Sequence, residues 1–138
     1  MIDTHELAWA AGFFDGEGHI AYKRGARNND PQRYIWKNII LEIAQKDRFV
    51  LDRFQKAVNC GAVYGPYRNG ANDKNKGFYS YRYVASSFYK IRDAVNLMWP
   101  WLSPLKRIQA EEAITGWLNE PRMRVGRKRG ERVVVQVA

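Results

Sequence analysis

The chain has 138 residues and a mass of 16.1 kDa, the size of one domain that buries roughly two-thirds of the surface its unfolded form exposes. Its 46% of hydrophobic residues exclude a disordered chain, and its single cysteine and two histidines exclude an internal disulfide and a structural zinc site. Lys and Arg number 23 against 14 Asp and Glu, and the net charge of +9 indicates a polyanionic partner.

The first predicted helix covers residues 4–15, with Thr4 as a candidate N-cap and Glu6 in the first turn, where a carboxylate suits the helix dipole. Trp9, Phe13 and Gly16 share one face of this helix. Small residues recur at every fourth position, namely Ala8, Gly12 and Gly16. A helix with such a row can approach a second helix closely.

A hairpin is predicted next, with strands over residues 19–24 and 34–45. In its second strand Ile39, Leu41 and Ile43 alternate with other residues, which indicates that one face is apolar. Helical spacing returns over residues 47–58, with Asp47 as N-cap. The apolar stripe of this second helix consists of Val50, Leu51, Phe54 and Val58.

A second strand pair is predicted over residues 63–68 and 78–84, joined by a polar loop. Ser86 or Ser87 caps a third helix, the WPW sequence at 99–101 ends it, and a final helix covers residues 105–118. The order αββαββα indicates an α+β fold, with a four-stranded antiparallel sheet and helices on one face. The other face of the sheet stays open, and function is expected there.

We place one domain at residues 1–121 and a basic tail at residues 122–138. The tail holds six basic residues and one acidic residue, which leaves +4 of the net +9 for the rest of the chain. We interpret it as a mobile basic arm, although its VVVQV ending could add a strand.

The most informative stretch is AAGFFDGEG at residues 10–18, which resembles the LAGLIDADG motif position by position. Gly12, Asp15, Gly16 and Gly18 match common variants of that motif, and Glu17 stands at the final acid, where Asp is usual. Ala10 departs from the usual Leu. The resemblance implies a LAGLIDADG homing endonuclease of the single-motif type, with a saddle-like sheet that binds DNA.

One motif per chain supplies half of an active site, so two-fold symmetry predicts a homodimer and a near-palindromic double-stranded DNA target. Close packing of two such helices would bring two copies of Glu17 together. Paired carboxylates form a hard-oxygen site suited to Mg²⁺, with Mn²⁺ or Ca²⁺ able to occupy it. The resemblance further implies that the backbone carbonyl of Gly16 contributes to metal binding and that Asp15 is an interface residue rather than a ligand. The predicted dimer interface consists of Ala8, Trp9, Gly12, Phe13, Asp15 and Gly16.

Three further residues are candidates for catalysis because they lie where the family places polar or basic groups. Gln45 ends the second strand near the expected position of the attacking water, although an amide there could equally cap the following helix. Arg48 corresponds to a basic residue near the scissile phosphate. Lys106 opens the final helix, where the family often has a Lys that polarises metal-bound water or steadies phosphate charge; an isolated Lys there would otherwise be solvated.

Strand alternation and basic character predict the DNA-binding surface. Side chains facing base edges from the first hairpin are His19, Ala21, Lys23, Tyr34, Trp36, Asn38 and Glu42. Phosphate contacts are expected from Arg24, Arg27, Arg33 and Lys37. The second hairpin offers Tyr64, Arg68, Ser80 and Arg82, with Lys74 and Lys76 in its loop for backbone contact. Val63, Tyr81 and Tyr83 are assigned to the core.

Two binding functions remain as alternatives: a cleavage-inactive LAGLIDADG protein or RNA-splicing maturase, and a general RNA-binding protein that stacks aromatic side chains on unpaired bases. We expect no small-molecule substrate. No apolar run approaches the roughly 20 residues of a membrane span, and the N-terminus has no signal-peptide pattern. We therefore expect a microbial or phage cytoplasmic protein or an organellar one, neither secreted nor bound to a membrane.

Overall fold

A computed structural model describes residues 2–26, 35–69, 78–120, 122–128 and 131–137. Two helices and four strands make up its first part: α1 (Thr4–Glu17), β1 (Gly18–Ala26), β2 (Ile35–Gln45), α2 (Arg48–Val58), β3 (Ala62–Asn69) and β4 (Phe78–Ala85). Two helices and two strands follow: α3 (Phe88–Met98), α4 (Pro104–Asn119), β5 (Arg122–Lys128) and β6 (Glu131–Val137). A 3-10 turn at Trp99–Trp101 separates α3 from α4.

The main sheet contains four antiparallel strands in the order β1-β2-β4-β3. Ile39, Leu41 and Ile43 of β2 are buried, and α1, α2, α3 and α4 all contact this sheet. Side chains at the alternate positions of β1 and β2, such as His19 and Asn38, are exposed. The predicted α+β fold, a four-stranded antiparallel sheet with helices over one face, is therefore confirmed.

Helix starts follow from side-chain oxygens that satisfy free backbone N–H groups. Asp3 caps α1 by accepting from the amides of His5 and Glu6, so the expectation of Thr4 as N-cap is wrong by one residue. Asp47 caps α2 as predicted, accepting from the Phe49 amide at 2.9 Å. Ser87 stands at the N-cap position of α3, but its side chain makes no capping hydrogen bond there.

The β3–β4 pairing contains a bulge between Tyr64 and Tyr67. Tyr64 lies opposite Arg82 and Tyr67 lies opposite Ser80, so Tyr64 and Tyr67 share the open face although three positions separate them. Arg68 lies opposite Tyr79 and is thereby turned to the other face. The expectation that Arg68 lies on the open face is corrected, because the one extra residue of the bulge reverses the alternation.

The segment after α4 contains β5 and β6, which pair with each other as a two-stranded antiparallel sheet. β5 contacts β2. Within the described part of the chain, no helix is long and apolar enough to cross a membrane.

Candidate active site and nucleic-acid interface

The end of α1 presents the acidic residue of the motif to solvent. Glu17 is the last residue of α1 and Gly18 the first of β1, and both Gly16 and Glu17 are exposed. A Cβ at position 18 would come within 1.9 Å of the buried Phe14 ring, so the turn from helix to strand requires glycine. A carboxylate at a helix C-terminus faces the negative end of the dipole, which favours a cation beside it.

Lys106 lies at the same place although it comes 88 residues after Gly18. Its Nζ donates a hydrogen bond to the carbonyl oxygen of Gly18 at 2.9 Å and lies 5.1 Å from the ring centroid of Phe14. The structure thus brings the predicted Lys106 to the residue directly after Glu17.

Gln45 is the last residue of β2, the strand that pairs with β1, and Arg48 is the first residue of α2. Gly18 pairs with Ile43, and β2 runs two residues further to Gln45, which is half-buried and pairs with Tyr81. The residue that caps α2 is Asp47, so Gln45 does not serve as the cap of that helix. The exposed Arg48 guanidinium lies 5.8 Å from the Tyr81 ring centroid and forms an ion pair with Asp52, with N and O 3.4 Å apart.

Sequence analysis missed a second connection between α1 and α4. Both carboxylate oxygens of Asp15 accept from the Ser103 amide at 3.1 Å, and Ser103 Oγ donates to Asp15 Oδ1 at 3.1 Å. Ser103 Oγ also accepts from the Lys106 amide at 3.3 Å and so caps α4. A Ser before a Pro and a helix indicates an N-cap, but nothing local points to a partner at position 15.

The oxygen donors exposed at this point suit a hard divalent cation. They are the carboxylate of Glu17 and the backbone carbonyl of Gly16, and Mg²⁺ is bound in proteins through one or two carboxylates with further oxygen ligands. Among the residues that the structure describes, no three His, Cys, Asp or Glu side chains cluster closely enough to hold a metal ion. Among these described residues, one chain therefore offers fewer than three such side chains to a metal at this site.

The small-residue row of α1 lies on the surface. Beyond the adjacent residues and the backbone of α1 itself, a Cβ built at Gly12 or Gly16 would meet no described atom within 4 Å. The row is flanked by Trp9 and Phe13, whose rings stack with centroids 5.2 Å apart, and the Arg53 guanidinium lies 3.8 Å from the Trp9 ring centroid. A second surface can approach the α1 backbone here without displacing a side chain of this chain.

The open face of the sheet presents polar and aromatic side chains together. Its exposed members include His19, Lys23, Trp36, Asn38, Tyr64, Tyr67 and Arg82. Ala21 and Glu42 are half-buried on the same face, and Ser80 is buried. Arg82 and Glu42 form an ion pair across β4 and β2. Tyr83 is buried and Val63 and Tyr81 are half-buried, which confirms their assignment to the core side.

Two of the residues expected to contact phosphate make contacts within the chain. Arg24 and Lys37 lie opposite each other on β1 and β2, on the helix side of the sheet. Lys37 Nζ donates to the carbonyl oxygens of Trp117 and Glu120 at 2.8 and 3.0 Å, and Arg24 pairs with the Glu120 carboxylate at 2.8 Å. Both cations therefore hold the C-terminus of α4. The predicted Arg27, Arg33, Tyr34, Lys74 and Lys76 lie outside the described residues.

A family model described as LAGLIDADG endonuclease matches residues 10–97. Among solved structures, the chain is similar to the homing endonuclease I-CvuI in complex with its target in the presence of calcium, with a TM-score of 0.62 and 24% identity over 81% of this chain and 65% of that chain. The archaeal intron-encoded homing endonuclease I-Vdi141I, complexed with DNA, gives a TM-score of 0.60 and 17% identity over 83% of this chain and 70% of that one.

A third similar structure is the group I intron-encoded homing endonuclease I-CeuI complexed with DNA. It gives a TM-score of 0.64 and 10% identity over 83% of this chain and 55% of that chain. The chain thus spans slightly less than two thirds of the I-CvuI chain and just over half of the I-CeuI chain. At these identities the structural likeness establishes the fold.

Proposed function

The chain belongs to the LAGLIDADG endonuclease family, and on that premise we propose that it is a homing endonuclease that cuts both strands of a long, near-palindromic DNA site as a homodimer. The observation that carries this proposal is the position of three groups at the end of α1. Glu17 is exposed there, the Lys106 ammonium lies 2.9 Å from the carbonyl of the next residue, and an unobstructed row of small residues leads up to them.

The homodimer follows from the single motif and the surface of α1. The motif of each chain supplies one exposed acid, Glu17, to an active site. Double-strand cleavage needs one reaction at each of two scissile phosphates, and therefore two such motifs. Packing of α1 against its copy along Ala8, Gly12 and Gly16 would bring two Glu17 carboxylates to the two-fold axis. Trp9 and Phe13 flank this row and would supply apolar contact area.

Glu17 and the carbonyl of Gly16 would hold the metal, for which we propose Mg²⁺, with Mn²⁺ or Ca²⁺ able to occupy the same site. A bound divalent cation lowers the pKa of water and offsets negative charge on phosphate. Lys106 would stabilise charge on the phosphate through its ammonium, Arg48 would contact the phosphate, and Gln45 would orient the attacking water from the end of β2. The presence of calcium in the similar I-CvuI complex is consistent with this choice of ions.

DNA would lie on the open face of the sheet. A twisted antiparallel sheet fits the major groove, where side chains alternate toward base edges. His19, Asn38 and Arg82 offer hydrogen-bonding groups on that face, and Lys23 offers charge. All three of the similar solved structures described above are complexes with DNA or a target.

Cleavage of a randomised duplex library tests the proposal. The wild-type chain and Glu17→Gln are each incubated with Mg²⁺, Mn²⁺ or EDTA, with Glu111→Gln on the exposed side of α4 as a matched control. We expect defined double-strand cuts that require metal, persist in the control and vanish in Glu17→Gln. The recovered sites should be nearly palindromic.

Binding of duplex DNA without cleavage under every condition would overturn the endonuclease and favour a cleavage-inactive or maturase function. Preference for single-stranded RNA over duplex DNA would favour the general RNA-binding alternative.

A further inference from the structure

We infer that Ser103 and Asp15 are positioning residues for Lys106, and that they set the rate of strand cleavage through the placement of its ammonium. The inference rests on the proposed function, because the role of Lys106 in cleavage is part of it. It adds two residues that touch neither DNA nor metal.

The first step is the join between two helices that are far apart in sequence. Asp15 lies in the last turn of α1, and its carboxylate accepts from both the amide and the hydroxyl of Ser103 at 3.1 Å. Both residues are partly buried. Hydrogen bonds to an ionised carboxylate are stronger than neutral ones, so this contact fixes where α4 begins relative to where α1 ends.

The second step connects that join to Lys106. Ser103 is the N-cap of α4, and its Oγ accepts from the Lys106 amide at 3.3 Å. Ser103 thus bonds to both the Asp15 carboxylate and the Lys106 amide, and it fixes the backbone of Lys106 in the first turn of α4 relative to the end of α1. Its side chain then passes the buried Phe14 ring to donate to the Gly18 carbonyl.

The third step is the reason that Lys106 requires an anchored backbone. Lys carries a flexible four-carbon side chain that loses rotamer freedom when its end is fixed, and one hydrogen bond to a carbonyl offsets only part of that loss. Anchoring of the Lys106 backbone by Ser103 removes part of the remaining freedom. A displacement of about 1 Å of a reacting group can cost up to about 100-fold in rate, so loose anchoring has a measurable effect.

A double-mutant cycle on the full-length chain separates positioning from general structural support. Single-turnover cleavage of the recovered target is measured with Mg²⁺ for wild type, Ser103→Ala, Lys106→Met and the double variant. DNA affinity is measured by titration in Ca²⁺. Ser103→Thr, which retains the hydroxyl, serves as the conservative control.

We expect Lys106→Met to lower the cleavage rate about 100-fold and Ser103→Ala about 10-fold, with DNA affinity changed by less than about twofold. The double variant should cleave no more slowly than Lys106→Met, because Ser103 has no effect once the ammonium is gone. Ser103→Thr should cleave at nearly the wild-type rate. Multiplication of the two single effects in the double variant would overturn the inference.

Asp15→Asn provides a second variant that keeps the N-cap of α4 and is suitable if Ser103→Ala does not fold. It should slow cleavage in wild type and leave the rate of Lys106→Met unchanged; additivity here would also overturn the inference. Absence of any cleavage by wild type would remove the proposed function itself. Cleavage by wild type with an additive cycle would remove only the positioning role.

Discussion

The Lys37 ammonium donates to the backbone carbonyl of Trp117 at 2.8 Å and lies 4.3 Å from the centroid of the same residue's indole ring. A second bond joins it to the Glu120 carbonyl at 3.0 Å. These carbonyls belong to the last turn of α4, where helix oxygens have no partner within the helix and a cation is favoured by the dipole. Lys37 is therefore a C-terminal cap supplied by a strand.

Lys37→Met should lower the free energy of unfolding by about 1–2 kcal/mol, because two helix-end carbonyls lose a charged donor. The salt dependence of DNA binding should stay as in wild type. Lys23→Met, on the open face, should have the opposite pattern, with normal stability and a smaller salt slope. Urea unfolding and salt titrations measure both. A reduced salt slope for Lys37→Met would show that Lys37 contacts DNA after all.

Gly12→Leu should abolish dimer formation while the chain stays folded. The site of the new side chain is open, since beyond the adjacent residues and the backbone of α1 no described atom lies within 4 Å of a Cβ there, and leucine favours the helix by roughly 0.5–1 kcal/mol over glycine. Light scattering should give the mass of one chain, and cleavage should be lost. Asn96→Leu on the exposed side of α3 is the control. A dimeric, active Gly12→Leu would exclude the α1 row as the interface.

The ion pair of Arg82 and Glu42 on the open face predicts a coupled effect on sequence preference. Arg82→Ala should weaken binding to the target by about 1–3 kcal/mol and relax the choice of base at one position of each half-site. Glu42→Gln should alter preference at that same position, because Arg82 loses the group that orients it. Selection from the randomised library measures this, with Arg92→Ala on α3 as control. Effects at unrelated positions would contradict the coupling.

Glu6 predicts an acid-dependent contribution to stability. The Arg53 guanidinium hydrogen-bonds to its carboxylate at 2.7 and 2.8 Å and lowers the pKa of Glu6 below its ordinary value of 4.5. A group with a lowered folded-state pKa stabilises the fold above its unfolded pKa and loses that contribution as the pH falls through the folded value. Wild type should therefore be more stable than Glu6→Gln near pH 7.

As the pH falls through the lowered folded-state pKa of Glu6, the two unfolding curves should converge, since below that pKa the carboxyl is protonated in both states of the wild type. Glu112→Gln on the exposed side of α4 corrects for removal of a surface charge. A stability difference that stays constant from neutral to acid pH would show that the ion pair does not account for it.

The features of the fold that the sequence predicted are those that depend on residues close together in the chain. The alternation of Ile39, Leu41 and Ile43 defined the buried face of β2, and Asp47 marked the start of α2. The bulge in β3 was missed although Gly65 and Pro66 stand within the strand, where such residues often mark one. That pair was the available signal for Tyr67 on the open face.

The parts that sequence could not predict depend on residues far apart in the chain. In the sequence Lys37 is an ordinary strand lysine, and its partner, the Trp117 carbonyl at the end of α4, lies 80 residues further along the chain. The carboxylate of Asp15 likewise finds Ser103 only when α1 and α4 are packed. A basic residue in a strand is certain to carry positive charge, but the strand sequence alone does not show whether its side chain faces solvent or caps the C-terminus of a distant helix.

The direct passage of α1 into β1 has one more consequence. Glu17 ends the helix, Gly18 begins the strand, and no loop between them can absorb a rotation. In the proposed dimer, the angle at which the two α1 helices cross would also set the tilt between the two sheets, and hence how far a bound duplex must bend. Substitutions in α1 could then alter the tolerance for stiff or flexible base steps midway between the half-sites, without changing any side chain that contacts a base.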